Sequence, residues 1–383
     1  MLDYRASNAN GGPALEIETF LQAMVKHGAS DLFLSAGAVP GIKIEGKTRR
    51  LGDRPLQAPE TRTLAYSMLN DRQVAEFERD LELNMAIALR SLGRFRVNLF
   101  RQRGSVAMVV RYIKAEIPSI EELHLPPILR DLIMEPRGLI LVVGSTGSGK
   151  STTLASMIDY RNERTTGHIL TIEEPIEFLH AHKKSIVDQR ELGLDTHSYH
   201  NALKNAMREA PDVILIGEIR DAETMKHAIA YADTGHLCLS TLHSNNANQT
   251  LDRIINFFPD SAHHQLFQDL SEHLTAIVSQ RLIPTVDDKR IPAVELLIRT
   301  PYIADLIAKR DIDSLKDAMA DGAQAGMQTF DQALLALYEQ GRISEREALA
   351  HADSRNDLGL AIRSTRPRGA SEAPEGLEIA QWE

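Results

Sequence analysis

Apolar positions in the first third of the chain follow two periods. Leu15, Phe20, Leu21, Met24 and Val25 fall on one stripe at helical spacing, so residues 14–27 are predicted to be an amphipathic helix closed by Gly28. From Arg94 to Arg101 the period is two. Phe95, Val97 and Leu99 point one way; Arg94, Arg96 and Asn98 point the other. Ser105–Ile113 is a second β-rich run, and Gly104 marks the hairpin turn between them. With short strands at 31–35 and 42–45, residues 14–113 are predicted to be a small α+β domain on an antiparallel sheet.

Three prolines in 114–127 suggest a linker, after which the pattern changes. Leu139–Val143, His168–Ile172, Val213–Ile216 and Leu237–Ser240 are apolar runs of the kind found in strands buried on both faces. Helical segments lie between them, which predicts a parallel α/β sheet over 128–299. From residue 300 to 363 the chain reads as helical. Thr329 with Gln332 forms a capping-box pattern ahead of Leu334, Leu335, Leu337 and Tyr338. Gly341 ends that helix, and Ser344 with Glu347 starts the next. Residues 1–13 are expected to be a flexible leader and 364–383 a polar, disordered tail.

Composition narrows the function. The 383 residues carry 43 Lys and Arg against 53 Asp and Glu, a net charge of −10, which disfavours a protein that coats nucleic acid. The single cysteine, Cys238, makes neither an intramolecular disulfide nor a multi-cysteine zinc site. No apolar run approaches the ~18–20 residues of a membrane span, and the first residues lack the features of a secretory signal. A cytoplasmic protein without a transmembrane segment is expected.

The sharpest motif is Gly144-Ser145-Thr146-Gly147-Ser148-Gly149-Lys150-Ser151, with Thr152 opening a helix behind it. Glycines let successive N–H groups turn toward phosphate oxygens, Lys150 reaches the outer phosphates and Ser151 is placed for Mg²⁺. Val213–Ile216 leads to Glu218, a hydrophobic strand delivering a carboxylate beside such a loop. Glu173 and Glu174 end another strand. His236 and His243 bracket Leu237–Ser240, and no third ligand at a convincing spacing makes them a metal pair. Arg94, Arg96 and Arg111 suit either an anion site or a solvated face.

In this order the loop, T-I-E-E-P-I-E-F, V-I-L-I-G-E-I-R-D and T-G-H-L-C-L-S-T-L-H resemble the type II/type IV secretion ATPase family. Within it, Asn245–Gln249, Arg253–Pro259, Gly326–Gln332 and His351–Leu358 resemble the PilT/PilU retraction branch, on its PilU-like side. The resemblance implies a PAS-like domain followed by a RecA-like ATPase core, assembled as a homo-hexamer that uses ATP and Mg²⁺. Nucleotide then lies between the two domains, with Arg94, Arg96 and Arg111 reaching a neighbouring subunit. Glu173 and Glu218 share the general-base and Mg²⁺-water roles, His243 contacts the γ-phosphate and His236 supports that segment. Glu174 stands where the family more often has aspartate. Implied partners are a PilT-like retraction ATPase and the inner-membrane pilus platform protein. A helical motif needed for retraction keeps Ile303, Leu306 and Ile307 but has Ala304 and Ala308 in place of arginines, which fits an accessory motor. An assembly motor and a docking adaptor are the alternatives.

Overall fold

The computed structural model describes residues 16–365, apart from 45, 90, 91, 114 and 115. The expected leader, Leu15 and residues 366–383 of the expected tail lie outside the described residues. The chain divides into two compact units. The first comprises the described residues through Ile117 together with Ile176–His180; the second comprises Pro118–Pro175 and the described residues from Ala181 on.

In the first unit, α1 (Ile17–Lys26) leads into β1 (Asp31–Ser35), β2 (Gly41–Ile44) and β3 (Lys47–Arg50). Helices α2 (Ala58–Tyr66) and α3 (Asp71–Asp80) precede β4 (Glu82–Leu89), β5 (Gly93–Gln102) and β6 (Ser105–Ile113). The six strands form one antiparallel sheet, ordered β3-β2-β1-β6-β5-β4. Register explains the core. Leu34, Met108, Leu99 and Leu83 form one cross-strand row, and Leu32, Val110, Val97 and Met85 the next. Phe20, Leu21 and Met24 of α1, Leu64 of α2 and Phe77 of α3 share that core. The opposite face carries the row Lys43, Asp31, Arg111, Arg96.

The second unit begins with residues read above as a linker. Ile120 and Leu125 are instead buried in its core, beside α4 (Leu129–Met134). Then come β7 (Gly138–Val143), α5 (Lys150–Arg164), β8 (Gly167–Glu173), β9 (Ser185–Glu191), α6 (Tyr199–Ala206), β10 (Val213–Ile216), α7 (Ala222–Asp233), β11 (Leu237–Leu242), α8 (Ala247–Ile255) and α9 (His263–His273). The sheet is completed by β12 (Leu274–Pro284) and β13 (Arg290–Ile298), in the order β13-β12-β7-β11-β10-β8-β9. It is mixed rather than wholly parallel, because β13 returns antiparallel along β12. The fold class is thus mixed α/β.

Alternation divides this sheet's side chains between two cores. Leu139, Leu141, Val143, Ile214, Ile216 and Cys238 face a cluster shared with α6, α7 and α9. Ile140, Val142, Val213, Leu215, Leu237 and Leu239 face one shared with α4 and α5. Burial on both faces is the reason the central strands are so rich in apolar residues; Ser240 and Thr241 of β11 are buried with their hydroxyls donating to the Ile216 and Gly217 carbonyls.

Five further helices follow: α10 (Pro301–Lys309), α11 (Leu315–Asp321), α12 (Phe330–Glu339), α13 (Glu345–His351) and α14 (Arg355–Thr365). Thr329 and Gln332 form the expected capping box on α12, and Ser344 caps α13. Helix α14 runs into the first two residues of the expected tail. No helix among the described residues is long and apolar enough to cross a membrane.

Candidate functional site

Four adjacent parallel strands, β7, β11, β10 and β8, end along one edge of the second sheet. Each hands over to a polar segment: β7 to the Gly144 loop, β11 to His243, β10 to Gly217-Glu218 and β8 to Glu173-Glu174. Segments far apart in sequence therefore converge by topology, at the carboxyl ends of strands where α/β sheets bind ligands.

The loop is closely braced. Gly144 (φ 152°), Gly147 (81°) and Gly149 (94°) all take positive φ. A Cβ on Gly144 would lie 2.4 Å from Ser148 Oγ and 2.5 Å from the Gln280 carbonyl oxygen. A Cβ on Gly149 would lie 2.8 Å from Gln280 Nε2. Gln280, on β12, also accepts a hydrogen bond from Thr153 Oγ1 of α5 at 2.7 Å. Lys150 is buried and donates to the carbonyls of Gly144 (2.9 Å) and Ser145 (3.0 Å). Ser145, Thr146 and Gly147 form the exposed tip, and Ser151 and Thr152 are half-buried in the first turn of α5. That turn starts at Gly149 without a side-chain cap, so the amino end of α5 opens onto the loop.

The acidic side is a network. Glu218 Oε2 accepts from Arg220 Nε at 2.8 Å, and Arg220 Nη1 reaches Glu174 Oε2 at 2.9 Å. His243 Nε2 lies 3.1 Å from Glu218 Oε1. Glu173 Oε1 accepts from Thr171 Oγ1 at 2.7 Å and from Gln189 Nε2 at 3.3 Å. The hydrogen bond to Glu218 raises the pKa of Arg220 further, so this guanidinium is a fixed positive charge between two carboxylates. Gly217 is closely packed: a Cβ would meet Tyr199 Oη at 3.1 Å and Glu173 Cα at 3.2 Å, tight enough that a neighbour would have to shift. Burial, and then the negative charge of Glu174, push the Tyr199 hydroxyl well above its ordinary range. Tyr199 is held neutral.

Other expected residues belong to other segments. His236 precedes β11, where its Nδ1 contacts Thr234 Oγ1 (3.1 Å) and the Tyr231 carbonyl (3.2 Å). The six residues of β11 lie between it and His243, and the seven steps at about 3.3 Å per residue span roughly 23 Å. Arg94, Arg96 and Arg111 belong to the first unit's sheet, where Arg96 and Arg111 are cross-strand neighbours. Arg111 Nε donates to the buried Asp31 Oδ1 at 2.8 Å. Among residues not singled out from sequence, Arg220 lay inside a quoted motif. Gln280 and Tyr199 had no local signal.

The donor set fits a nucleotide and its divalent ion. Ser148 Oγ is buried with no hydrogen-bond partner among the described residues, beside backbone turned inward by glycines. Ser151, Glu173 and Glu218 offer hard oxygen ligands of the kind Mg²⁺ takes.

Comparison with known proteins agrees with this architecture. The family described as Type II/IV secretion system protein matches residues 15–362, and the chain belongs to that family. It is 53% identical to the type IV pilus ATPase PilU of Pseudomonas aeruginosa, over 91% of this chain and 92% of that one. It is 42% identical to the type IV pilus retraction ATPase PilT of the same organism, over 87% and 97%. The crystal structure of the pilus retraction motor PilT with bound ADP superposes with a TM-score of 0.85 at 42% identity, covering 90% of this chain and 99% of that one.

Proposed function

We propose that the chain is an ATP-hydrolysing motor of type IV pilus retraction. It works as a homo-hexamer and as an accessory to a PilT-like retraction ATPase. The observation that carries this reading is the row of four strand ends, with a braced glycine-lysine loop on one side and a carboxylate network on the other. The likeness to PilU and PilT, and to a PilT structure holding ADP, supports the choice of nucleotide and of pilus machinery. In this reading the first unit is PAS-like and the second RecA-like.

Lys150, the loop N–H groups and the first turn of α5 bind the phosphates and stabilise charge that builds on them. Mg²⁺, when bound, supplies Lewis acidity at the outer phosphates, and Ser151, Glu173 and Glu218 are the residues to hold it or its waters. One of Glu173 and Glu218 orients the attacking water and accepts its proton. His243 reports the γ-phosphate to Glu218, its neighbour. Arg220, bonded to both, holds Glu218 and Glu174 in place. Arg94, Arg96 and Arg111 serve the nucleotide of a neighbouring subunit, and the charge of −10 leaves nucleic acid no direct role.

The accessory role rests on α10. Ile303, Leu306 and Ile307 are buried, while Ala304 and Ala308 are half-buried without charge where the retraction motif has arginines. Such a motor docks on the inner-membrane pilus platform protein from the cytoplasmic side.

Lys150→Ala and Glu218→Gln each lower kcat by at least ~100-fold in purified protein, as loss of transition-state electrostatics predicts. In cells, deletion leaves pili present with weaker retraction, and Lys150→Ala does not restore it. Near-normal turnover of either variant overturns the site; bald cells overturn retraction in favour of assembly.

A further inference from the structure

The only three-residue group of potential metal ligands among the described residues includes none of the carboxylates or histidines of the strand-end network. It joins His200, the second residue of α6, to Glu223 and His227 on α7. Glu223 and His227 are four apart, so they share one helical face. One ligand atom from each of the three lies within 4.8 Å of the others. His200 Nδ1 already touches Glu223 Oε1. The rings of His200 and His227 meet edge to face at 6.4 Å between centroids, and no hydrogen bond engages the His227 ring among the described residues.

The supports are rigid. Ser198 caps α6 through the Asn201 N–H, and Asp221 caps α7 through the Thr224 N–H. Ala202, Leu203 and Ala206 of α6 pack with Met225, Ala228 and Ala232 of α7 in one core. Tyr231 Oη, on α7, donates to the Leu203 carbonyl of α6 at 2.5 Å. Small rotamer changes of these three side chains, His200 and Glu223 exposed and His227 half-buried, would then suffice to surround an ion, with no movement of backbone.

We infer that His200, Glu223 and His227 form a zinc-type metal site, three protein ligands with a fourth position left to water. Two imidazoles and one carboxylate suit Zn²⁺ or a related first-row ion, and not the Mg²⁺ proposed at the strand ends. The ion replaces the direct His200–Glu223 contact and clips α6 to α7. That matters for the neighbouring site: Tyr199 stands next to His200 in the chain, and Arg220 lies just before α7. Sequence spacing gave no sign of this site, because His200 and the Glu223/His227 pair lie on different helices.

The full-length chain, stripped with chelator and held in excess Mg²⁺, is titrated with ZnCl₂ by calorimetry. Wild type binds one Zn²⁺ per chain and its melting temperature rises. His200→Ala and His227→Ala each weaken binding by more than the ~10–100-fold that outer partners of a metal ligand are worth. His264→Ala, an exposed histidine elsewhere, leaves it unchanged. Co²⁺ bound to wild type gives the visible spectrum of a tetrahedral nitrogen/oxygen site without a thiolate band, since Cys238 is buried. Equal Zn²⁺ binding by the double histidine variant overturns the site. So does the absence of stoichiometric binding by wild type, or an unperturbed aqueous Co²⁺ spectrum; neither of these depends on a variant folding.

Discussion

Glu295, on β13, is 1% exposed, with Oε1 accepting from the Ala247 N–H at 2.7 Å and from Ser279 Oγ at 3.1 Å. Burial dominates these hydrogen bonds and pushes its pKa up to about 7 from 4.5. The folded chain therefore holds a proton there that the unfolded chain has released. The sign follows: stability from this group is complete below pH 4.5, falls as pH rises and is lost above about 7. The loss amounts to on the order of 3 kcal/mol. Denaturant midpoints at pH 5 and pH 8 should differ less in Glu295→Gln than in wild type. An identical difference in the two proteins would place the pH dependence elsewhere. At this scale the sequence was informative about chemistry that clusters locally: Lys150, Ser151 and Glu218 each stand inside a motif. Glu295, Tyr199 and Gln280 were silent, since burial and distant partners give them their character. His236 misled because a parallel strand sends its two ends to opposite edges of the sheet, and both histidines flank the same strand.

Elements differed in legibility for a related reason. β7, β10 and the first half of β11 read directly, because burial on both faces makes them continuous apolar runs. β9 pairs with β8 alone and has just two apolar residues, Ile186 and Val187, so no continuous run announces it. β12 and β13 hide Ser279, Gln280 and Glu295 in the interior, where side-chain hydrogen bonds replace apolar contact. This hairpin is what makes the sheet mixed, and it braces the phosphate-loop candidate. Gln280→Ala leaves the buried Thr153 hydroxyl without its acceptor and opens space behind Gly149. A cost of ~1–3 kcal/mol in unfolding free energy is expected from the unpaired group. Nucleotide affinity should weaken in parallel, as read by fluorescent ADP titration. A loss of stability with affinity intact would make Gln280 a packing residue only.

For the whole molecule, the proposed hexamer sets a condition that no single chain meets. The arginine row sits on a sheet of the first unit, on the face away from its hydrophobic core, with Arg111 tied to Asp31. If Arg94 and Arg96 serve a neighbour's nucleotide, Arg94→Ala/Arg96→Ala rings lose turnover by ~10³-fold or more, the scale of an arginine supplied in trans. Lys150→Ala rings are inactive for a different reason. Unfolded together and reassembled at equal ratio, the two inactive chains form mixed rings. An intact loop then meets an intact arginine neighbour at about a quarter of the interfaces, given random closed assembly. Activity returning to about a quarter of wild type, read by phosphate release, is the expected result. Arginines acting within their own subunit predict no recovery at any ratio, since every chain then carries one broken half of its own site.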